Sequence, residues 1–208
     1  MTDITDATRL RDNARSGPVA GLVRLHRTVF SRIEALLDGW FNGFAARFAF
    51  ASLLLLYYLN SGWNKLGEGV FGFLNPTVGA YAAILPPLME QYGFEPAAIP
   101  FFPWHVIVLL GTWTEILLPL LIVAGLFSRI AALGMIVFIC VQSYVDVAFH
   151  QLGAKFVGSM FDRLPDAIIF DQRMLWVFVL LMIVVNGPGK LSLDHLLSRR
   201  FGLANPHT

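Results

Sequence analysis

Apolar residues gather along this chain in four stretches, 44–63, 104–127, 130–149 and 167–186. Each is close to the roughly 20 residues an α-helix needs to cross a bilayer. The pattern therefore predicts an all-α integral membrane protein, a four-helix bundle. The first stretch contains Arg47, tolerable there if its head snorkels to the inner interface. The fourth contains Asp171 and Arg173, expected near its outer end because charge at depth is costly.

Ahead of the first span, Leu22, Leu25, Val29, Ile33, Leu36, Trp40 and Phe44 recur at helical spacing, with Arg24, Arg27 and Arg32 on other faces. This reads as an interfacial amphipathic helix within an amino-terminal extension, residues 1–43. It would serve as a collar around the bundle or as a recruiting surface for a cytoplasmic partner. Between the first two spans, 66–103 carries Asn75-Pro76, Pro86-Pro87 and Phe101-Phe102-Pro103. Proline this dense forbids one continuous helix, yet the segment is too apolar for a free loop. Short helices at the outer interface, roofing the bundle, are expected. After Asn186, Gly187-Pro188-Gly189 should end the fourth helix, and Ser192 should cap a short helix through Leu197 before a tail at 198–208.

Charge sets the orientation. Arg9, Arg11, Arg15, Arg24, Arg27, Arg32 and Arg47 precede or open the first span, Arg129 lies between the second and third, and Lys190, Arg199 and Arg200 follow the fourth. The opposite side has Lys65, Lys155, Arg163 and Arg173 mixed with acids. The positive-inside rule then places both termini in the cytoplasm. Apolar residues make up 56% of the chain and charged residues 14%, which is lipid-facing composition. A net charge of +1 excludes a broad basic surface for nucleic acid. One cysteine, Cys140 in an apolar run, excludes an internal disulfide or CxxC pair and reads as buried packing. The segment 1–18 lacks the basic-then-apolar pattern of a signal peptide and is expected to be retained.

Three motifs resemble the DoxX family of small four-helix membrane proteins. They are Ser61-Gly62-Trp63-Asn64-Lys65-Leu66; Gly111-Thr112-Trp113-Thr114-Glu115 followed by Gly125 through Ala132 with Arg129; and Gly187-Pro188-Gly189-Lys190-Leu191-Ser192-Leu193-Asp194. Their order and spacing cover the chain from Phe44 to Leu197; the amino-terminal extension and the segment 66–103 are longer than the family core. The resemblance implies a bacterial inner-membrane protein. It leaves the chemistry open, because family members accompany quinone-linked sulfur oxidation, thiol-stress or metal-stress systems.

The polar residues of the spans are the candidates for function. Glu115 stands roughly 15 Å from either end of its helix, so it must be paired or protonated. It either cross-links two helices or serves a proton or quinone site. Gly111 and Pro119 share its face, and Pro119 frees the Glu115 carbonyl from its usual amide. Gln142, Asp146 and His150 follow at i, i+4 and i+8 with Ser143 alongside; an Asp–His pair one turn apart suits a proton relay, and a hydrogen-bonded helix contact is the bland account. Lys65 snorkels or pairs with Glu115 or Asp146, and depth favours Asp146. His105 with His150 as haem ligands is a remote reading, since interface histidines are ordinary. Asp146 and His150 alone fall short of a metal site. Trp63, Trp104, Trp113, Trp176, Tyr57 and Tyr58 suit aromatic belts and helix packing. Arg129 and Asp194 are expected to pair across the inner turns.

No complete catalytic set appears, so two functions stand. The first is a membrane subunit or accessory of a redox system, holding a quinone or passing protons in an outer-side pocket of Lys65, Glu115, Gln142, Asp146 and His150. The second is a non-enzymatic chaperone, maturation or docking factor in a stress or metal-response system, engaging a partner through 66–103. A solute transporter has less support, lacking paired broken helices. Homo-oligomerisation is open.

Overall fold

The computed structural model describes residues 18–201. The extension at 1–17, with Arg9, Arg11 and Arg15, and the end of the tail at 202–208 lie outside the described residues. Two compact units divide after Asp38. The first holds helix α1 (Pro18–Leu37), whose Leu22, Leu25, Val29, Ile33 and Leu36 are all exposed, the apolar stripe anticipated from their spacing.

The described residues of the second unit form helices joined by turns and loops, with no strand among them. It comprises α2 (Phe41–Trp63), α3 (Val78–Ile84), α4 (Pro86–Gln91), α5 (Phe101–Ala124), α6 (Ser128–Ala148), α7 (Ala154–Val157), α8 (Ile168–Asn186) and α9 (Leu193–Arg200). Helices α2, α5, α6 and α8 are long and apolar enough to cross a membrane, within three residues of the stretches the sequence predicts. They close a ring in which α2 packs on α5 and α8, and α6 packs on the same two. Phe50, Leu54, Tyr58, Ile122, Met135, Ile139, Leu180 and Ile183 fill the centre. Only 33, 33, 22 and 22% of the apolar windows of the four helices are buried, so most of their hydrocarbon faces outward. Leu53, Leu56, Leu110, Val137, Phe178 and Val185 stand exposed on that surface. Water would not tolerate an apolar face this extensive, and lipid requires it. The chain is a multi-pass membrane protein.

Helix α2 changes partners partway along. Its first half, to Phe50, leans mainly on α8, and its second half, from Leu56, leans on α5. Between them Ala51–Leu55 forms a wide π turn. The extra residue per turn re-aims the helix face where the partner changes. Wide turns also open α5 at Phe101–His105 and α8 at Ile168–Arg173.

At the near end, where α2 begins and α8 ends, Arg47 departs from expectation. It is 6% exposed and donates from Nε to the Pro188 carbonyl (3.1 Å), from one Nη to the Val123 carbonyl (3.0 Å) and from the other to Leu191. The last turn of α5 and the strap after α8 offer carbonyls that no helical amide reaches, and the guanidinium fork meets them. Asp194 is a second correction. Its carboxylate accepts from the amides of Phe127 (2.7 Å) and Ser128 (2.9 Å) and from Ser128 Oγ (2.8 Å), capping α6 instead of pairing with Arg129. Arg129 lies against Gly187. Orphan amides at a helix start attract a carboxylate as strongly as a nearby cation would. The turn that presents them needs Gly125 at φ +72°, a left-handed conformation that costs glycine nothing. Ser192 caps α9, accepting from the His195 amide (3.2 Å), as anticipated.

At the far end, 66–103 forms the expected roof. Thr77 caps α3 through the Ala80 amide, and Ala80, Tyr81, Met89, Ile99 and Val108 make a small separate core between roof and α5. His105 pins the two together. Its Nε2 faces the Leu74 carbonyl (3.1 Å), which can only accept, so Nε2 carries the proton and Nδ1 accepts from the Tyr81 hydroxyl. Burial pushes the Tyr81 phenol up. Both ring nitrogens of His105 are thus engaged by protein.

Candidate functional site

Beneath the roof, α5 and α6 part to leave a half-enclosed cleft of about 430 Å³. Lys65, Glu115, Gln142, Asp146 and His150 all line it, so the five residues singled out from the sequence share one cavity. Ala83 and Ile84 of the roof close its far end, and Ile107, Val137 and Val141 form apolar walls.

The ammonium of Lys65 sits 2.7 Å from Glu115 Oε2 and 3.0 Å from Oε1, and donates to Ser61 Oγ at 2.7 Å. The two side chains are 13% and 5% exposed, a largely desolvated pair. Glu115 is therefore paired, one of the two states its depth requires. For Lys65 this is the reverse of the choice that depth alone favours, Asp146. The cause is close approach between α2 and α5: a Cβ on Gly62 would lie 2.6 Å from Ile116 Cγ1 and 3.3 Å from Glu115 Cβ. With no side chain there, the helices come together one turn below Lys65, which folds back along its own helix onto the carboxylate.

Asp146 has a different partner, Arg173, at 2.6 Å. Arg173 also donates to Ser143 Oγ at 3.0 Å, while that hydroxyl donates to the Ile139 carbonyl at 2.7 Å. Arg173 lies five residues in from the far end of its span, near the end to which the sequence assigns it, and at 5% side-chain exposure it is buried inside the bundle. It is the functional candidate that sequence reasoning passed over. The signal was available: a cation and an acid in adjacent spans, each costly alone, satisfy one another. The Asp–His relay is not formed. His150 falls beyond the end of α6 at Ala148, and its Nε2 lies 3.4 Å from the Ala83 carbonyl. The helical register that would stack it over Asp146 stops two residues short.

Two further polar atoms bear on the site. Gln142 Oε1 is buried in the cleft without a hydrogen-bond partner, and the hydroxyl of Tyr58, in the bundle core outside the cleft lining, is likewise buried and unpartnered where its ring packs edge-on against Phe138 and Trp176. Buried polar atoms are seldom left this way, and where they occur they ask for a ligand or a water. Among the described residues no cluster of three metal-ligating side chains occurs. Cys140 is exposed on the outward face of α6, against the buried position expected. Trp113 donates to the Phe73 carbonyl (3.0 Å), and Trp176 packs on Tyr57, so both tie elements together.

The cleft thus offers the Lys65–Glu115 ion pair, the Arg173-bound carboxylate of Asp146, an imidazole and an unpartnered amide oxygen between apolar walls. That set can hydrogen-bond the head of a polar-headed lipophile. No protein-family model, curated protein or solved structure matches this chain.

Proposed function

We propose that this chain is a DoxX-like subunit or accessory of a membrane redox system, and that the cleft between α5 and α6 holds a quinone head. The observation that carries this reading is the convergence of Lys65, Glu115, Gln142, Asp146 and His150 on one cavity of about 430 Å³, a volume ordinary for small-ligand sites. Glu115 with Lys65 and the unpartnered Gln142 oxygen supply the polar contacts a quinone or quinol oxygen needs. Ile107 and Val137, exposed beside the cleft, admit its tail from lipid. The excess of cations at the near end favours a cytoplasmic near end in a bacterial inner membrane. The reading is tested with an azido-quinone photolabel on the protein in nanodiscs. Crosslinks should map to α5 and α6 peptides and fall at least tenfold, about 1.4 kcal/mol of binding, in Glu115→Gln. Undiminished labelling of that variant removes the central residue from the site.

A second reading has its own observation. Val70, Phe71, Phe101 and Phe102 at the far end are 86, 68, 67 and 77% exposed. Such a patch fits a docking factor that holds a partner protein at the roof. Serine at these four positions should then release a partner that copurifies stoichiometrically with the unaltered chain. A partner retained by the serine variant excludes this surface.

A further inference from the structure

Helix α9, at the near end, is amphipathic in the sense opposite to a helix that rests on a water-soluble core. Its half-buried positions, Asp194, His195 and Ser198, are polar, and Asp194 reaches the start of α6. Its exposed side is apolar. Leu193, Leu196, Leu197 and Phe201 follow at i, i+3, i+4 and i+8, and are 42, 60, 41 and 68% exposed. A surface helix in water turns its apolar stripe inward. Here the bonds of Asp194 to the amides of Phe127 and Ser128 tie α9 to the first residue of a membrane-spanning helix. The outward apolar stripe therefore stands at the margin of the bilayer, where a helix of this kind sinks its apolar face to the boundary of headgroup and acyl chain.

Charge specifies the lipid. Arg129, Lys190, Arg199 and Arg200 are all exposed at this end. Asp194 is the acid of this unit that lies beside them, and its carboxylate is already engaged by two amides and a hydroxyl. The ion pairs among the described residues of the unit are both at the far end, so none of the four cations is neutralised by protein. From Asp194 to Arg200 the helix rises roughly 9 Å, and Arg129 directly follows the serine whose amide Asp194 holds, so the guanidiniums share one side of the near end. Arg200 emerges seven residues after Leu193, within the apolar stripe itself. Its stem can lie on hydrocarbon while its head reaches the phosphates. A zwitterionic headgroup brings its own cation and leaves such a patch uncompensated, whereas an anionic one neutralises it. We propose that α9 is an interfacial anchor for anionic phospholipid, with its leucines and Phe201 at the acyl boundary and the four cations on the headgroups. This site is at the opposite end of the bundle from the cleft and stands whatever the cleft binds.

Bimane attached at Leu196→Cys, in a Cys140→Ser background, reports the lipid at α9 in the full chain. The protein is placed in nanodiscs of phosphatidylcholine and phosphatidylglycerol, and quenching is measured with bromine on the acyl chains of one lipid or of the other. Both brominated lipids should quench. The relative association derived from the mixtures should favour phosphatidylglycerol at least about fivefold, the worth of one cation at a charged membrane surface. Arg199→Gln with Arg200→Gln should cut that preference at least about twofold while quenching persists, since exposed side chains without ion pairs can be neutralised without disturbing the bundle. Equal association of the two lipids in the protein with all four cations overturns the anionic site. A bimane that neither brominated lipid quenches and that aqueous iodide reaches overturns the placement of α9 on the bilayer. A preference unmoved by the double glutamine variant overturns the part assigned to the cations of α9.

Discussion

Arg47 does more for this fold than its single charge suggests, because its three donors close carbonyls from two separate chain segments. Arg47→Met should leave those carbonyls without a donor and lower stability by at least about 3 kcal/mol, read as the unfolding midpoint in mixed micelles. Arg47→Lys should recover only part, since an ammonium lacks the planar fork. For Asp194 the geometry predicts a cap: Asp194→Ala should cost about 1–2 kcal/mol, and Asp194→Asn less. Exchanging charges between Arg129 and Asp194 should give no rescue, because Asp194 bonds amides and not the guanidinium. A restored midpoint in the exchanged protein would count against the cap. These two residues mark where one sequence falls silent. That Arg47 and Asp194 are costly in or near apolar surroundings is visible in it; that their partners are backbone groups is not, since every residue carries such groups alike. Lys65 shows a related limit. Counting depth along separate helices chose Asp146, while the choice is made by how closely two helices approach, which rests on Gly62 and Ile116.

At the scale of elements, Gly62→Leu should prise the far half of α2 from α5 and break the Lys65–Glu115 pair. Spin labels at exposed Leu56 and Leu117 would report the separation, and an unchanged distance would deny the close-packing role of Gly62. The π turn at Ala51–Leu55 invites a second test. Deleting one residue there restores ordinary helix, and because four α-helical residues turn through roughly the angle that five take in a π turn, the face beyond it keeps its direction. The Lys65–Glu115 pair and the near-end contacts of Arg47 should both persist, with the Leu56–Leu117 spin-label distance unchanged. Four spans, the roof and the cap of α9 were legible because hydrophobic length, proline density and Ser192 each act locally. The wide turns were not, since nothing in Ala51-Ser52-Leu53-Leu54-Leu55 distinguishes them from regular helix. The Asp146–His150 spacing misled for a related reason: it assumed that α6 continues past Ala148.

Taken whole, the molecule has a tied end and a hollow end. Backbone caps and the Arg47 fork bind the near end, whereas the far half holds two ion pairs and the cleft. Ala83→Trp, at the roof edge of the cleft, should fill that space and abolish quinone photolabelling with little change in the unfolding midpoint; labelling that continues would place the ligand elsewhere. The side walls of the cleft, Ile107, Val137 and Val141, stand on the surface that meets hydrocarbon. A guest arriving there never leaves the oil phase. Its occupancy therefore answers to how many guest molecules there are per lipid, and not to how many there are per volume of buffer. Adding empty vesicles should strip the site even at constant total ligand per volume of sample, because the same guest is then spread through more lipid.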